Sequence, residues 1–173
     1  MKTLRVLLLL GLVCVPSMMA QAEPDAETRL DPIATPMALP PLDLRDMDGK
    51  LWQSQDLIGQ PAIINFWATW CAPCREEMPA MEKAWEKLRG EDVLLLAINF
   101  SEPLETVAQF QEDYPMSFPV LLDEDGETAG NWPLKGLPVT FVVDAEGRLV
   151  YQAMGARAWD DDVMLDKVRA LKQ

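Results

Sequence analysis

The chain has no histidine. That absence removes Ser-His and Cys-His hydrolases, histidine-bound zinc and copper, and imidazole acid–base catalysis. Cysteine is nearly as scarce: Cys14, Cys71 and Cys74 are the whole supply among 173 residues. Basic residues are outnumbered, 15 Lys and Arg against 28 Asp and Glu, for a net charge of −13. A surface this acidic argues against nucleic acid and anionic membrane as partners and is compatible with basic partner proteins. Internal repeats and low-complexity tracts are missing as well. No apolar run reaches the roughly 20 residues a membrane-spanning helix needs.

One shorter apolar run is present, at residues 6–15, broken only by Gly11 and preceded by Lys2 and Arg5. Pro16 interrupts its end, and Ala20-Gln21-Ala22 supplies the small residues of a cleavage site. Residues 1–22 are therefore expected to be a signal peptide cleaved after Ala22, with an uncleaved anchor as the alternative. Cys14 does not mark a lipoprotein, because Gly11-Leu12-Val13 lacks the usual pattern. Cleavage would remove Lys2 and Arg5 but no acidic residue, moving the net charge to −15. The chain is expected to work in the periplasm or another exported location. Only Cys71 and Cys74 would remain there, and thiols do not survive by default in an oxidising compartment.

Residues 23–40 carry Pro24, Pro32, Pro36 and Pro40 and read as an extended linker, leaving residues 41–173 as one domain. LDLRDMDGKLWQ places Asp48-Gly49 between two alternating segments, which predicts a β-hairpin. PAIINFWA is a short apolar run bounded by Gly59, read as a buried central strand. A helix follows from about Pro73 to Arg89, with Met78, Met81, Trp85 and Leu88 on its core face and Pro79 expected to kink it. DVLLLAINF predicts the next strand, and Ser101, with Pro103 behind it, predicts the start of a helix running to about Glu112. SFPVLLD reads as a strand and DEDGETAGNWPLKG as a loop with one helical turn. PVTFVVD and GRLVYQA read as strands around Glu146-Gly147, and residues 160–171 as a closing amphipathic helix. The order implies an α/β fold: a central mixed sheet flanked by helices, with an N-terminal β-hairpin.

Cys71 and Cys74 stand where the central strand gives way to the helix. As a structural staple the pair would close so short a loop that it restricts the unfolded chain by only about 2 kcal/mol. As a zinc site it lacks two ligands, and neither cysteine nor histidine remains to supply them. As a redox couple the placement makes sense. Unpaired N–H groups and the helix dipole favour a thiolate on Cys71, while Cys74, one turn on, faces inward. Cys71 is thus the expected exposed nucleophile and Cys74 the resolving thiol. Pro73 fits the first helical turn, where no donor is lost.

WCAPC after a strand, Pro79 five residues past the second cysteine, and GLPVTFVVDAEG together resemble the thioredoxin superfamily. Within it, NFWATWCAPCREEMPAM and GARAW are similar to the exported TlpA/ResA group of thiol–disulfide oxidoreductases, a likeness covering roughly residues 40–171. The resemblance implies that Pro138 is a cis-proline facing the disulfide and that Leu137 offers its backbone to a substrate strand. It implies too that Trp70, with Ala72 and Pro73, borders the reactive sulfur. Where thioredoxins carry a buried aspartate, this chain has Asn65, which cannot exchange a proton with Cys74. Glu77, about 60° from the centre of the core stripe, is expected half-buried as the replacement, and Glu76 is expected in water. A second departure is Val139, where the cytochrome-maturation thioredoxins carry glutamate.

A strong oxidant needs a heavily stabilised thiolate. Here Ala72-Pro73 lies between the cysteines, Arg75 is the lone nearby positive charge, and Glu77 would oppose a thiolate, so a reductant is expected. The resemblance implies a monomer without cofactor or metal, reduced by a membrane thiol-electron transporter and acting on protein disulfides such as those of apocytochrome c or copper-site cysteines. The rival readings are a general disulfide oxidase, a peroxiredoxin and a copper chaperone. Peroxiredoxins carry a threonine three residues before the cysteine, whereas Thr69 stands two before.

Overall fold

The computed structural model describes residues 26–172; the expected signal peptide lies outside them. Eight strands and four helices follow in order: β1 (Asp31–Ala38), β2 (Asp43–Arg45), β3 (Leu51–Gln53), β4 (Ala62–Trp67), α1 (Ala72–Leu88), β5 (Leu94–Phe100), α2 (Leu104–Asp113), β6 (Val120–Asp123), α3 (Glu127–Asn131), β7 (Val139–Val143), β8 (Arg148–Met154) and α4 (Asp162–Arg169). Six strands form one mixed sheet in the order β1-β8-β7-β4-β5-β6, and β2–β3 form the separate hairpin. β4, β5 and β6 are mutually parallel, whereas β7 runs antiparallel to β4. The expected mixed sheet with flanking helices and an N-terminal hairpin is what the chain forms.

β4 is buried along its whole length, so its alternating side chains feed two cores. Ile63 and Trp67 pack with Met78, Met81 and Leu88 of α1 and with Met164, Leu165 and Val168 of α4. Ile64 and Phe66 face the opposite way, onto Trp52 of the hairpin, Ala129 of α3 and Trp132. α1 continues through Pro79 to Leu88.

Two expectations need correction. Residues 31–38, read as linker, are a strand: Asp31–Ala38 pairs antiparallel with β8, with a register shift between Pro32 and Met37. Its prolines hid it, and they are tolerated because β1 is an edge strand whose outward N–H groups need no partner. Ser101 does not start α2. The N-cap is Pro103, and Ser101 has φ 58°, a left-handed conformation uncommon for residues other than glycine. At the other edge of the sheet, Asp46 of the hairpin bridges to Leu121 of β6, and Met47 N–H donates to the Val120 carbonyl at 3.0 Å.

Candidate active site

β4 ends at Trp67, and a two-residue turn, Thr69-Trp70, leads into α1. Cys71 is the N-cap of that helix, and its Sγ accepts from Cys74 N–H at 3.3 Å. Pro73 sits in the first turn as expected. Cys71 and Cys74 are joined in a disulfide with Cα atoms 5.2 Å apart. The helix N-terminus thus supplies amide donors at the sulfur where negative charge would develop. Cys71 is 6% exposed and Cys74 wholly buried, so the surface gives access to one sulfur only, and sparingly. Ala72 and Pro73 are exposed beside it. Trp70, next to Cys71 in the chain, is 65% exposed and does not belong to the core.

Leu137 and Pro138 are joined by a cis peptide bond immediately before β7. Val139 pairs with Phe66 near the end of β4, which brings residues 137–138 to the same end of the sheet as the cysteine turn. Leu137 is half-buried and Pro138 buried. Beside Leu137, Phe100, Ala129 and Leu134 line an apolar pocket of about 350 Å³.

Glu77 is 2% exposed, so the expectation of half-burial is corrected. Oε1 accepts from Asn65 Nδ2 at 2.9 Å, and Oε2 accepts from Arg157 N–H at 3.1 Å and Trp159 Nε1 at 3.2 Å. The segment between β8 and α4, which carries Arg157 and Trp159, closes over a side chain that helix periodicity alone leaves at the margin. Burial pushes its carboxyl up to about 7, against the opposing pull of those hydrogen bonds and of the Arg157 charge. A groove of about 280 Å³, lined also by Glu27, Glu76, Arg157 and Asp160, reaches it from solvent. Asn65 donates to Thr140 Oγ1 as well, at 2.9 Å, while its own Oδ1 is buried without a partner. Glu76, its neighbour in sequence, is exposed as expected.

Sequence reasoning missed Glu102. It is 7% exposed and accepts from the backbone N–H of Thr69 at 2.7 Å, from the Thr69 hydroxyl, and from Asn99 Nδ2 at 2.8 Å. Within Ser101-Glu102-Pro103 it reads as a solvated helix start; nothing local in the sequence marks it. Arg75, by contrast, leans away over Tyr114, 5.6 Å from the ring centroid, with a hydrogen bond to its hydroxyl at 3.3 Å.

A family model described as "AhpC/TSA family" matches residues 36–152. The chain is 35% identical over 112 residues to the thiol-disulfide oxidoreductase ResA of Bacillus subtilis, a match covering 65% of this chain and 63% of that protein. The chain thus spans a little under two thirds of that relative's length. To ResA of Geobacillus thermodenitrificans it is 30% identical over 129 residues, covering 75% and 74%. A crystal structure assigned to a thiol:disulfide interchange protein DsbE of Chlorobium tepidum superposes with a TM-score of 0.73 at 26% identity, over 82% of this chain and 99% of that one.

Proposed function

The chain belongs to the AhpC/TSA family, and on that premise we propose that it is an exported thiol–disulfide oxidoreductase that reduces protein disulfides through Cys71 and Cys74. The observation that carries the reading is the disulfide itself, set at a helix N-terminus with one sulfur reachable and the other sealed. The relatives named as thiol-disulfide oxidoreductases support it.

In the dithiol state, the Cys71 thiolate attacks one sulfur of a substrate disulfide. The substrate bond breaks, one substrate thiolate leaves, and a mixed disulfide forms. Cys74, deprotonated, then attacks Cys71 Sγ and expels the second substrate thiolate. Two electrons have passed to the substrate, and the protein is left with the Cys71–Cys74 bond. A dithiol donor, for which a membrane thiol-electron transporter is the expected source, then attacks Cys71 Sγ and expels the Cys74 thiolate. It resolves the mixed disulfide with its second thiol, leaving the donor oxidised and the protein reduced. Glu77, one helical turn beyond Cys74, is the expected carrier of the Cys74 proton, since Asn65 only donates to it. Leu137 and Pro138 border the substrate path, and the apolar pocket beside Leu137 gives a polypeptide side chain a seat. Apocytochrome c or copper-site cysteines remain the expected substrates, although Val139 departs from the cytochrome-maturation pattern.

The peroxidase alternative loses ground on one contact. The Thr69 hydroxyl donates to Glu102 and so is committed away from any peroxide at Cys71. Export rests on residues 1–22; among the described residues no helix is long and apolar enough to cross a membrane. The deciding experiment is reduction of a protein disulfide by the reduced chain, set beside turnover of hydrogen peroxide. Disulfide reduction with negligible peroxide turnover is expected, and the opposite pattern overturns the reading.

A further inference from the structure

Opening the Cys71–Cys74 bond removes the covalent tie between the first turn of α1 and its N-cap. Cys74 stays inside the helix. Cys71 keeps its carbonyl bond from Arg75 N–H at 3.1 Å, its own N–H bond to the Ala68 carbonyl at 3.2 Å, and the bond that its Sγ accepts from Cys74 N–H at 3.3 Å. The path of Cys71 Sγ in the reduced state therefore depends on the turn that leads into it, and a carboxylate from the loop after β5 is bonded to that turn.

Glu102 reaches the turn because the chain leaves β5 abruptly after Phe100. Asn99 pairs in register with Trp67, the last residue of β4, and Ser101 turns through φ 58° with its N–H bonded to the Asp123 carbonyl at 2.9 Å. That places Glu102 Oε2 between the Thr69 backbone N–H and the Asn99 amide, and Oε1 against the Thr69 hydroxyl. Hydrogen bonds from a backbone N–H to a buried ionised carboxylate are among the stronger kinds. We propose that Glu102 is a positioning residue for thiol–disulfide exchange, fixing residues 68–71 so that Cys71 Sγ and Trp70 hold their places while the disulfide opens and closes.

The bonding pattern separates geometry from charge. Oε2 takes both N–H donors, while Oε1 meets only a hydroxyl, which can accept as readily as it donates. A glutamine whose carbonyl oxygen occupies the Oε2 place and whose amide nitrogen occupies the Oε1 place keeps all three contacts without charge. An aspartate keeps the charge but withdraws it from Thr69 by one methylene. The role rests on the exchange chemistry proposed above.

The test is the rate at which reduced protein exchanges with 5,5′-dithiobis(2-nitrobenzoate), followed across pH to give a titration midpoint and a plateau. Thermal unfolding of each oxidised variant confirms its fold. Glu102→Gln is expected to keep the wild-type plateau. Glu102→Asp and Glu102→Ala are expected to lose between about 10- and 100-fold of it, the scale that slight misplacement of reacting groups produces. Glutamine as slow as alanine, or aspartate and alanine both at the wild-type plateau, overturns the positioning role. If alanine does not fold, the glutamine–aspartate comparison alone decides. Wild-type protein that does not exchange at all would instead overturn the reading of the site as an exchange centre.

Discussion

Replacing Glu77 with glutamine tests whether a carboxylate this deeply buried governs stability as well as chemistry. Its carboxyl is raised from 4.5 to about 7, chiefly by burial. At about 1.4 kcal/mol per pK unit, that displacement corresponds to about 3 kcal/mol of folding free energy. The sign follows from which state holds the proton more tightly. The folded chain does, so the contribution is whole below pH 4.5 and is lost as pH rises through 7. Wild-type stability should therefore fall across that window relative to Glu77→Gln, and the difference should level off above it. The glutamine fits if Asn65 turns its amide: the unpartnered Oδ1 then faces the new NH₂, and the Thr140 hydroxyl donates instead of accepting. Urea unfolding of both oxidised proteins between pH 4 and 8.5 measures the difference, with the disulfide keeping both thiols out of the titration. Other carboxylates are common to both proteins and cancel. Exposed Glu76→Gln is the control and should leave no such slope. A wild-type-minus-glutamine difference that is flat across the window, or that rises with pH, refutes the reasoning.

In the reduced protein, Glu77→Gln should also lower the cysteine titration midpoints and slow exchange with a model disulfide, while Glu76→Gln should do neither. Cys74→Ser should accumulate mixed disulfides with protein partners and Cys71→Ser should not; iodoacetamide should modify Cys71 first, and prior labelling of Cys74 would reverse the roles. Equilibration with glutathione buffers should place the couple nearer to about −270 mV than to about −120 mV, and a value above about −180 mV would sink the reductase assignment. Glu91 is held down to about 2 by Arg169 first and Lys172 next, so its support of the C-terminal segment is present above pH 4.5 and lost as pH falls through 2. Glu91→Gln should flatten that acid-side loss in urea unfolding, with an effect that shrinks in high salt.

The parts of the fold visible in the sequence are those whose causes are local. β4 announces itself as an apolar run, α1 by the spacing of Met78, Met81 and Leu88, and the hairpin by Asp48-Gly49. The cysteine pair is legible because strand, turn and helix follow one another along the chain. What escaped depends on residues brought together from afar. Glu77 is sealed by Arg157 and Trp159, 80 and 82 positions away, and a helical wheel does not contain them. Glu102 meets Thr69 across 33 positions, through a serine in a conformation its type does not advertise. β1 failed for the opposite reason: its prolines are a strong local signal for an irregular chain, outweighed by pairing with β8.

That proline-bearing strand also settles how the sheet treats its neighbours. A sheet has two open margins, each a row of donors and acceptors ready to recruit a foreign strand. On one margin Pro32 and Pro36 lack the N–H groups recruitment requires, and the register slips between Pro32 and Met37. On the other, the bridge from Asp46 to Leu121 occupies β6, itself only four residues long. Neither side is a good template for growth into an aggregate. On the reductase activity proposed above, the protein can therefore meet a disulfide-bearing chain at its sulfur without offering it a sheet edge to extend.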